Sequence, residues 1–218
     1  MRGSRLIFAA VVGLAMSISS LAHAESIFDA IARAFQGDGT GGYGNGGALY
    51  PEQVSPNRVV PFNFKRQTVR FNTQEAPGTI IIDPRAHYLY FVTGGGKALR
   101  YGVGVGREGF GWHGTVRVGN KAEWPTWHPP KEMIVREAKR GHKLPTVMAG
   151  GKGNPLGARA LYLYSKSGDT GFRIHGTSEP WTIGLNVSSG CIRLVNDDGI
   201  DRDSRARVGA KVIVMEPA

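Results

Sequence analysis

The chain has 218 residues, 27 Lys+Arg against 17 Asp+Glu for a net charge of +10, an apolar fraction of 41% and one cysteine. That apolar content excludes a disordered chain, and a single cysteine excludes both an internal disulfide and a thiolate zinc site with its several sulfur ligands. Outside the N-terminus no apolar stretch approaches the ~20 residues that span a bilayer, so a folded domain resting on its hydrophobic core is expected.

In chain order, the first residues have the form of a secretory signal. Arg2 and Arg5 give a basic start, Leu6 to Met16 is an apolar run, and Ala22-His23-Ala24 is a small-residue cleavage site. The run is short and fades into Ser17, Ser19 and Ser20, which favours a signal peptide over residues 1–24, cleaved after Ala24, rather than a membrane anchor. No cysteine lies near it, which removes a lipoprotein. Cleavage takes away two arginines and no acid, so the charge falls from +10 to +8. An exported basic chain fits an anionic wall polymer or acidic lipid better than nucleic acid, although scattered lysines and arginines can also be no more than a solvated surface. No nucleic-acid partner is expected, and membrane contact only through the signal peptide during export.

Residues 25–75 are expected to form a lead-in of three parts. Ser26 to Phe35 has apolar positions at helical spacing behind an S-x-x-D cap, and predicts a short helix. Gly37 to Gly47 holds seven glycines in eleven positions and cannot bury enough surface to offset its ordering entropy, so it is a flexible linker. Tyr50 to Pro77, punctuated by prolines, predicts an extended segment along the domain surface. From Thr79 the texture becomes short β-rich runs separated by turn residues. Strands are expected over Thr79 to Asp83, Tyr88 to Val92, Ala98 to Val105, Gly114 to Val118, Ala160 to Tyr164, Phe172 to His175, Cys191 to Val195 and Lys211 to Met215. Glu132 to Lys139 and Asp197 to Arg205 are the short helical candidates. The economical architecture is one all-β domain, a sandwich or small barrel with one or two short helices, over residues 76–218.

Cys191 is the sharpest chemical feature. In Ser188-Ser189-Gly190-Cys191-Ile192-Arg193 a glycine before the thiol permits a tight turn. If a strand follows, Cys191 and Arg193 share a face, where the guanidinium can favour a thiolate. A nucleophile is therefore preferred to a buried core thiol. Such a nucleophile is usually served by an imidazole that takes its proton and returns it to the leaving amine. His175, closing the strand Phe172-Arg173-Ile174, is the candidate.

The segment His175-Gly176-Thr177-Ser178-Glu179-Pro180-Trp181-Thr182-Ile183-Gly184, followed by Ser188-Ser189-Gly190-Cys191-Ile192-Arg193-Leu194, resembles the signature of the YkuD-type (ErfK-YbiS-YcfS-YnhG) L,D-transpeptidase family. Gly153-Asn154-Pro155-Leu156-Gly157 and Val208-Gly209-Ala210-Lys211-Val212-Ile213-Val214 are also similar to it. The resemblance implies a β-sandwich-like catalytic domain of a bacterial cell-wall enzyme, with peptidoglycan stem peptides as substrate and a wall-anchored protein as one possible acceptor. Carried over by position, Cys191 is the nucleophile, His175 the base, and the Gly176 carbonyl the orienting group. Gly190, Cys191 and Ser189 supply the oxyanion hole, and Arg193, Ser188 and Trp181 the substrate contacts. From the residues themselves, no cofactor and no metal are expected. Rival expectations are an L,D-carboxypeptidase or wall-amide hydrolase of the same fold, and a non-catalytic wall-binding domain.

Two positions depart from the family. Ser189 stands where most members carry a second histidine, and Gly111-Trp112-His113-Gly114-Thr115 replaces a Thr-Pro-x-Gly turn. Other signals are weaker. Gly104-Val105-Gly106-Arg107-Glu108-Gly109 matches G-x-G-x-x-G but precedes a β-like run, so it predicts a strand and turn. His87, His113, His128 and His142 lack metal spacing and are expected to be surface or structural.

Overall fold

A computed structural model describes residues 60–216. The expected signal peptide, the 26–35 helix and the glycine linker lie outside the described residues. Among the described residues eleven strands form, in chain order, β1 Gln67–Arg70, β2 Ile80–Asp83, β3 Tyr88–Gly94, β4 Lys97–Gly102, β5 Val105–Gly106, β6 Gly114–Glu123, β7 Arg159–Ser165, β8 Gly168–His175, β9 Asn186–Ser188, β10 Ile192–Arg193 and β11 Lys211–Val214. Helix α1 is Lys131–Lys139 and α2 is Asn196–Arg205, with 3-10 turns at Phe62–Phe64 and Pro180–Thr182. The fold is mostly β with two short helices.

Nine strands make one mixed sheet in the order β1-β4-β3-β2-β11-β6-β7-β8-β10, and β5 pairs β9. Local hairpins build both halves. β2, β3 and β4 are antiparallel neighbours, with Gly94, Gly95 and Gly96 all at positive φ in the β3–β4 turn, and β6, β7 and β8 form an antiparallel meander. β11 enters between them, parallel to β2 and antiparallel to β6. The two halves face a common core. Ile80, Ile82, Leu89 and Tyr101 from one side meet Leu161, Leu163 and Ile174 from the other, all fully buried. β1 and β10 are the ends of the sheet order, so it remains an open, curled sheet rather than a closed barrel.

The expected strand Ala98 to Val105 is broken, and the reason is local. Gly104 exchanges both backbone hydrogen bonds with Arg193, at 3.0 and 2.8 Å, so the chain leaves β4 to meet β10 and then pairs β5 with β9. A side chain at 104 would press on the Thr182 carbonyl. The expected strand from Cys191 to Val195 is confined to Ile192–Arg193, because Asn196 already opens α2. The surface lead-in contributes β1, which pairs with β4.

The two helices lie on different parts of the fold, α2 against the sheet and α1 in a cap across the cleft. α2 carries Asp197 and Asp198 in its first turn and Arg202 and Arg205 in its last, charges that complement its dipole. Its fully buried Arg202 reaches the Ile174 carbonyl of β8 at 3.4 Å. α1 belongs to a cap with its own small core of Trp127, Met133, Leu144 and Leu156. Asn154, 1% exposed, ties that cap together. Its Nδ2 donates to the carbonyls of Pro125, Met148 and Ala149, and its Oδ1 accepts from the Leu156 N–H at 2.8 Å.

Asn154→Ala leaves the Pro125 and Ala149 carbonyls and the Leu156 N–H without this partner, while the Met148 carbonyl keeps the Trp127 N–H; each buried group left unsatisfied costs about 1–3 kcal/mol. A lower urea midpoint is expected, with loss of cap tryptophan fluorescence. An unchanged midpoint in equilibrium unfolding would show that the cap does not hang on this side chain.

Candidate active site

The period-two alternation of β8 sends Ile174 into the core and Arg173 and His175 to the opposite face. β10 lies parallel beside it, with Ile192 against Ile174 and Arg193 against His175. Two apolar side chains thus point inward together while the polar ones face a cleft. Cys191, one residue ahead of β10, joins them there. The cleft has a volume of about 330 Å³ and is lined by His175, Ser188, Ser189, Cys191 and Arg193 from the sheet side, and by the cap from the other.

His175 is 4% exposed. Its Nδ1 lies 2.6 Å from the Gly176 carbonyl oxygen. A carbonyl can only accept, so Nδ1 carries the proton and Nε2 keeps its lone pair. Burial, followed by the Arg193 charge, drives the imidazole pKa down to about 3, against a lesser opposing pull from the Gly176 hydrogen bond. The ring is neutral throughout the physiological range. Burial pushes the Cys191 thiol up, while the Arg173 N–H and the charges of Arg173 and Arg193 pull it back. The resting pair is therefore thiol and neutral imidazole, and the expected thiolate stabilised by Arg193 is outweighed by desolvation.

The turn before Cys191 is held by Ser188. Its hydroxyl accepts the Gly190 N–H at 3.1 Å and donates to the Cys191 carbonyl at 2.5 Å. Gly190 has φ +106, and a Cβ there would run into the Phe172 ring, so only glycine fits. With its N–H engaged by Ser188, Gly190 offers less to an oxyanion than the sequence expectation gave it. The Ser189 hydroxyl is buried beside the cleft with no hydrogen-bond partner among the described residues.

Arg193 is 4% exposed, and its Nη1 donates to Glu179 Oε2 at 3.2 Å and to Thr182 Oγ1 at 3.4 Å. Glu179 is itself buried, which raises its carboxyl pKa against the opposing Arg193 charge. These contacts tie Arg193 to the loop between His175 and Cys191. Trp181 sits half-buried in the Pro180–Thr182 turn and does not line the cleft. Trp127 and His128 of the cap do. Arg173 also lines it, anchored to Asp169 by two hydrogen bonds at 2.7 and 2.8 Å. Arg173 was recoverable from sequence, being two residues before His175 on one strand. Trp127 and His128 reach the site only through the fold of the cap, which no local pattern announces.

Residues 77–214 match the family model described as YkuD, L,D-transpeptidase catalytic domain. "Probable L,D-transpeptidase YbiS" of Escherichia coli (strain K12) is 32% identical over 145 residues, covering 64% of this chain and 45% of that protein. "Probable L,D-transpeptidase ErfK/SrfK" of the same strain is 33% identical over 142 residues, covering 63% and 44%. The chain thus spans less than half the length of these curated relatives. A solved structure from Brucella melitensis, described as a probable carnitine operon oxidoreductase caia, is 43% identical with a TM-score of 0.49, covering 73% of this chain and 99% of that one.

Because the Cys191 pKa is raised, its thiolate fraction stays small at neutral pH and grows only as pH climbs past the usual thiol range. The rate of Cys191 alkylation by iodoacetamide in the free protein is expected to rise continuously through about pH 9. A plateau near neutrality would instead reveal a preformed thiolate–imidazolium pair.

Proposed function

Since the chain belongs to the YkuD family of L,D-transpeptidase catalytic domains, we propose that it is an exported, cysteine-dependent acyltransferase acting on peptidoglycan stem peptides. The observation that carries this reading is one cleft holding Cys191 together with a His175 whose Nδ1 is fixed on the Gly176 carbonyl. That arrangement leaves Nε2 as the only basic nitrogen of the ring.

Cys191 Sγ attacks the carbonyl of the third stem residue while His175 Nε2 takes the thiol proton. Neither group ionises alone in the resting site. The imidazolium forms only as negative charge develops beside it, first on sulfur and then on the carbonyl oxygen, so deprotonation and attack are coupled. The Cys191 N–H, with the Ser189 N–H, receives the oxyanion; such a donor contributes about 3–4 kcal/mol to a transition state. Collapse breaks the amide, His175 returns the proton to the departing D-alanine amine, and a Cys191 thioester remains. An acceptor amine then attacks the thioester, His175 takes the amine proton, and the thiol is released. A stem-peptide amine gives a 3-3 cross-link, and an amine on a wall-anchored protein gives attachment. Arg193, through Glu179 and Thr182, holds the loop between base and nucleophile in register. Cleavage after Ala24 delivers the domain to the periplasm, where its basic charge favours the anionic wall.

The test is mass spectrometry of disaccharide-tetrapeptide incubated with the mature protein. The expected product is a dimer lacking one D-alanine. Cys191→Ala abolishes it, and His175→Ala lowers kcat by about 10²–10⁴-fold with the fold retained. Tripeptide alone identifies a carboxypeptidase with water as acceptor. Intact tetrapeptide overturns the enzyme reading in favour of a wall-binding domain.

A further inference from the structure

Between Ser188 and Arg193 the chain runs as a partition between two cavities. Ser188, Ser189, Cys191 and Arg193 line the cleft already described. Gly190 and Ile192 line a second cavity of about 470 Å³ on the other side, together with Trp112. Trp112 is half-buried, and its indole Nε1–H donates to the Gly190 carbonyl at 2.9 Å. Its ring stacks on Phe172 with centroids 4.7 Å apart and planes at 12°. Phe172 is the ring that forbids a side chain at Gly190. The indole is thus fixed by stacking and aimed by a hydrogen bond at one peptide group.

That peptide group is the one whose N–H belongs to Cys191. A trans peptide is planar, with C=O and N–H pointing in opposite directions, and among the described residues no peptide bond is cis. Holding the Gly190 carbonyl toward Trp112 therefore holds the Cys191 N–H away from it, toward the cleft. A hydrogen bond accepted by the carbonyl also polarises the peptide and strengthens the N–H as a donor. The other groups of this turn are engaged elsewhere, since Ser188 Oγ takes the Gly190 N–H and holds the Cys191 carbonyl. We propose that Trp112 is a positioning residue for acyl transfer, setting the direction and strength of the Cys191 N–H as oxyanion donor from the face opposite the substrate. The proposal rests on the acyl-transfer reading above. It gives a role to the Gly111–Thr115 segment that departs from the family's usual turn.

Trp112→Phe keeps an aromatic ring on Phe172 and removes the donor. Incorporation of β-(3-benzothienyl)alanine at position 112 removes the N–H while preserving the indole outline, and serves should the phenylalanine variant fold poorly. Two rates are compared in each protein: turnover of disaccharide-tetrapeptide, which needs an oxyanion donor, and alkylation of Cys191 by iodoacetamide at alkaline pH, which forms no oxyanion. The expected result is a kcat lower by about ten- to a hundredfold, somewhat less than outright removal of a donor, with KM nearly unchanged and alkylation at the wild-type rate. Wild-type kcat in the benzothienyl protein overturns the proposal. So does a parallel fall of kcat and alkylation, which marks general loosening of the turn. Absence of turnover in the wild-type protein sinks the acyl-transfer reading itself, and the role of Trp112 with it.

Discussion

Two residues of β10 lie parallel to the end of β8, and the geometry of the site follows from that short pairing. Ile174 and Ile192 are drawn into the common core, one fully buried and the other 3% exposed. Alternation then obliges His175 and Arg193 to face the other way, and the turn before β10 brings Cys191 to their side. The driving force is apolar burial, which acts without direction, yet through the pleat it fixes the direction of three polar side chains. The opposite edge of β10 is held by Gly104, whose missing side chain allows the chain after β4 to approach. Helix α2 secures β8 from beneath through Arg202.

Desolvation sets the chemistry of the pair more than charge does. Guanidinium groups of Arg173 and Arg193 surround a thiol and an imidazole, and the usual argument from positive charge would give a thiolate. Here Arg193 faces Glu179 and Arg173 faces Asp169, so each cation is partly neutralised by its own carboxylate. Burial dominates, and both partners rest uncharged. A neutral thiol is a slow target for oxidants and stray electrophiles. In the proposed reaction, a substrate carbonyl supplies the place for the negative charge that the resting site lacks.

The sequence made the strands, and the residues that share the cleft, legible wherever the signal was local. Ile80-Ile81-Ile82 and Phe172 to His175 fold as strands, as their patterns indicate. The two helices lie within a residue of their expected starts. Non-local constraints were invisible. Val103-Gly104 has the composition of a strand interior, and only its partner Arg193, far away in sequence, shows that the strand must break there. β9 is three residues of ordinary polarity whose strand character comes entirely from pairing with β5. Trp181 stood closest to the signature and missed the cleft, whereas Trp112 and Trp127 reached the turn and the cleft from distant loops.

β11 comes last among the strands in chain order and fifth of nine across the sheet. The hairpins on either side can assemble from near neighbours, but until Val212, Ile213 and Val214 arrive they remain two half-sheets with bare edges on β2 and β6. Such long-range closure is slow, and open edges invite pairing with other chains. The core shared by the two halves, and with it the burial that keeps Cys191 and His175 neutral, is complete only after that insertion. Without that insertion the cysteine stands in an unfinished, solvated setting, so the quiet resting state of the thiol depends on a strand that lies beyond it in the chain.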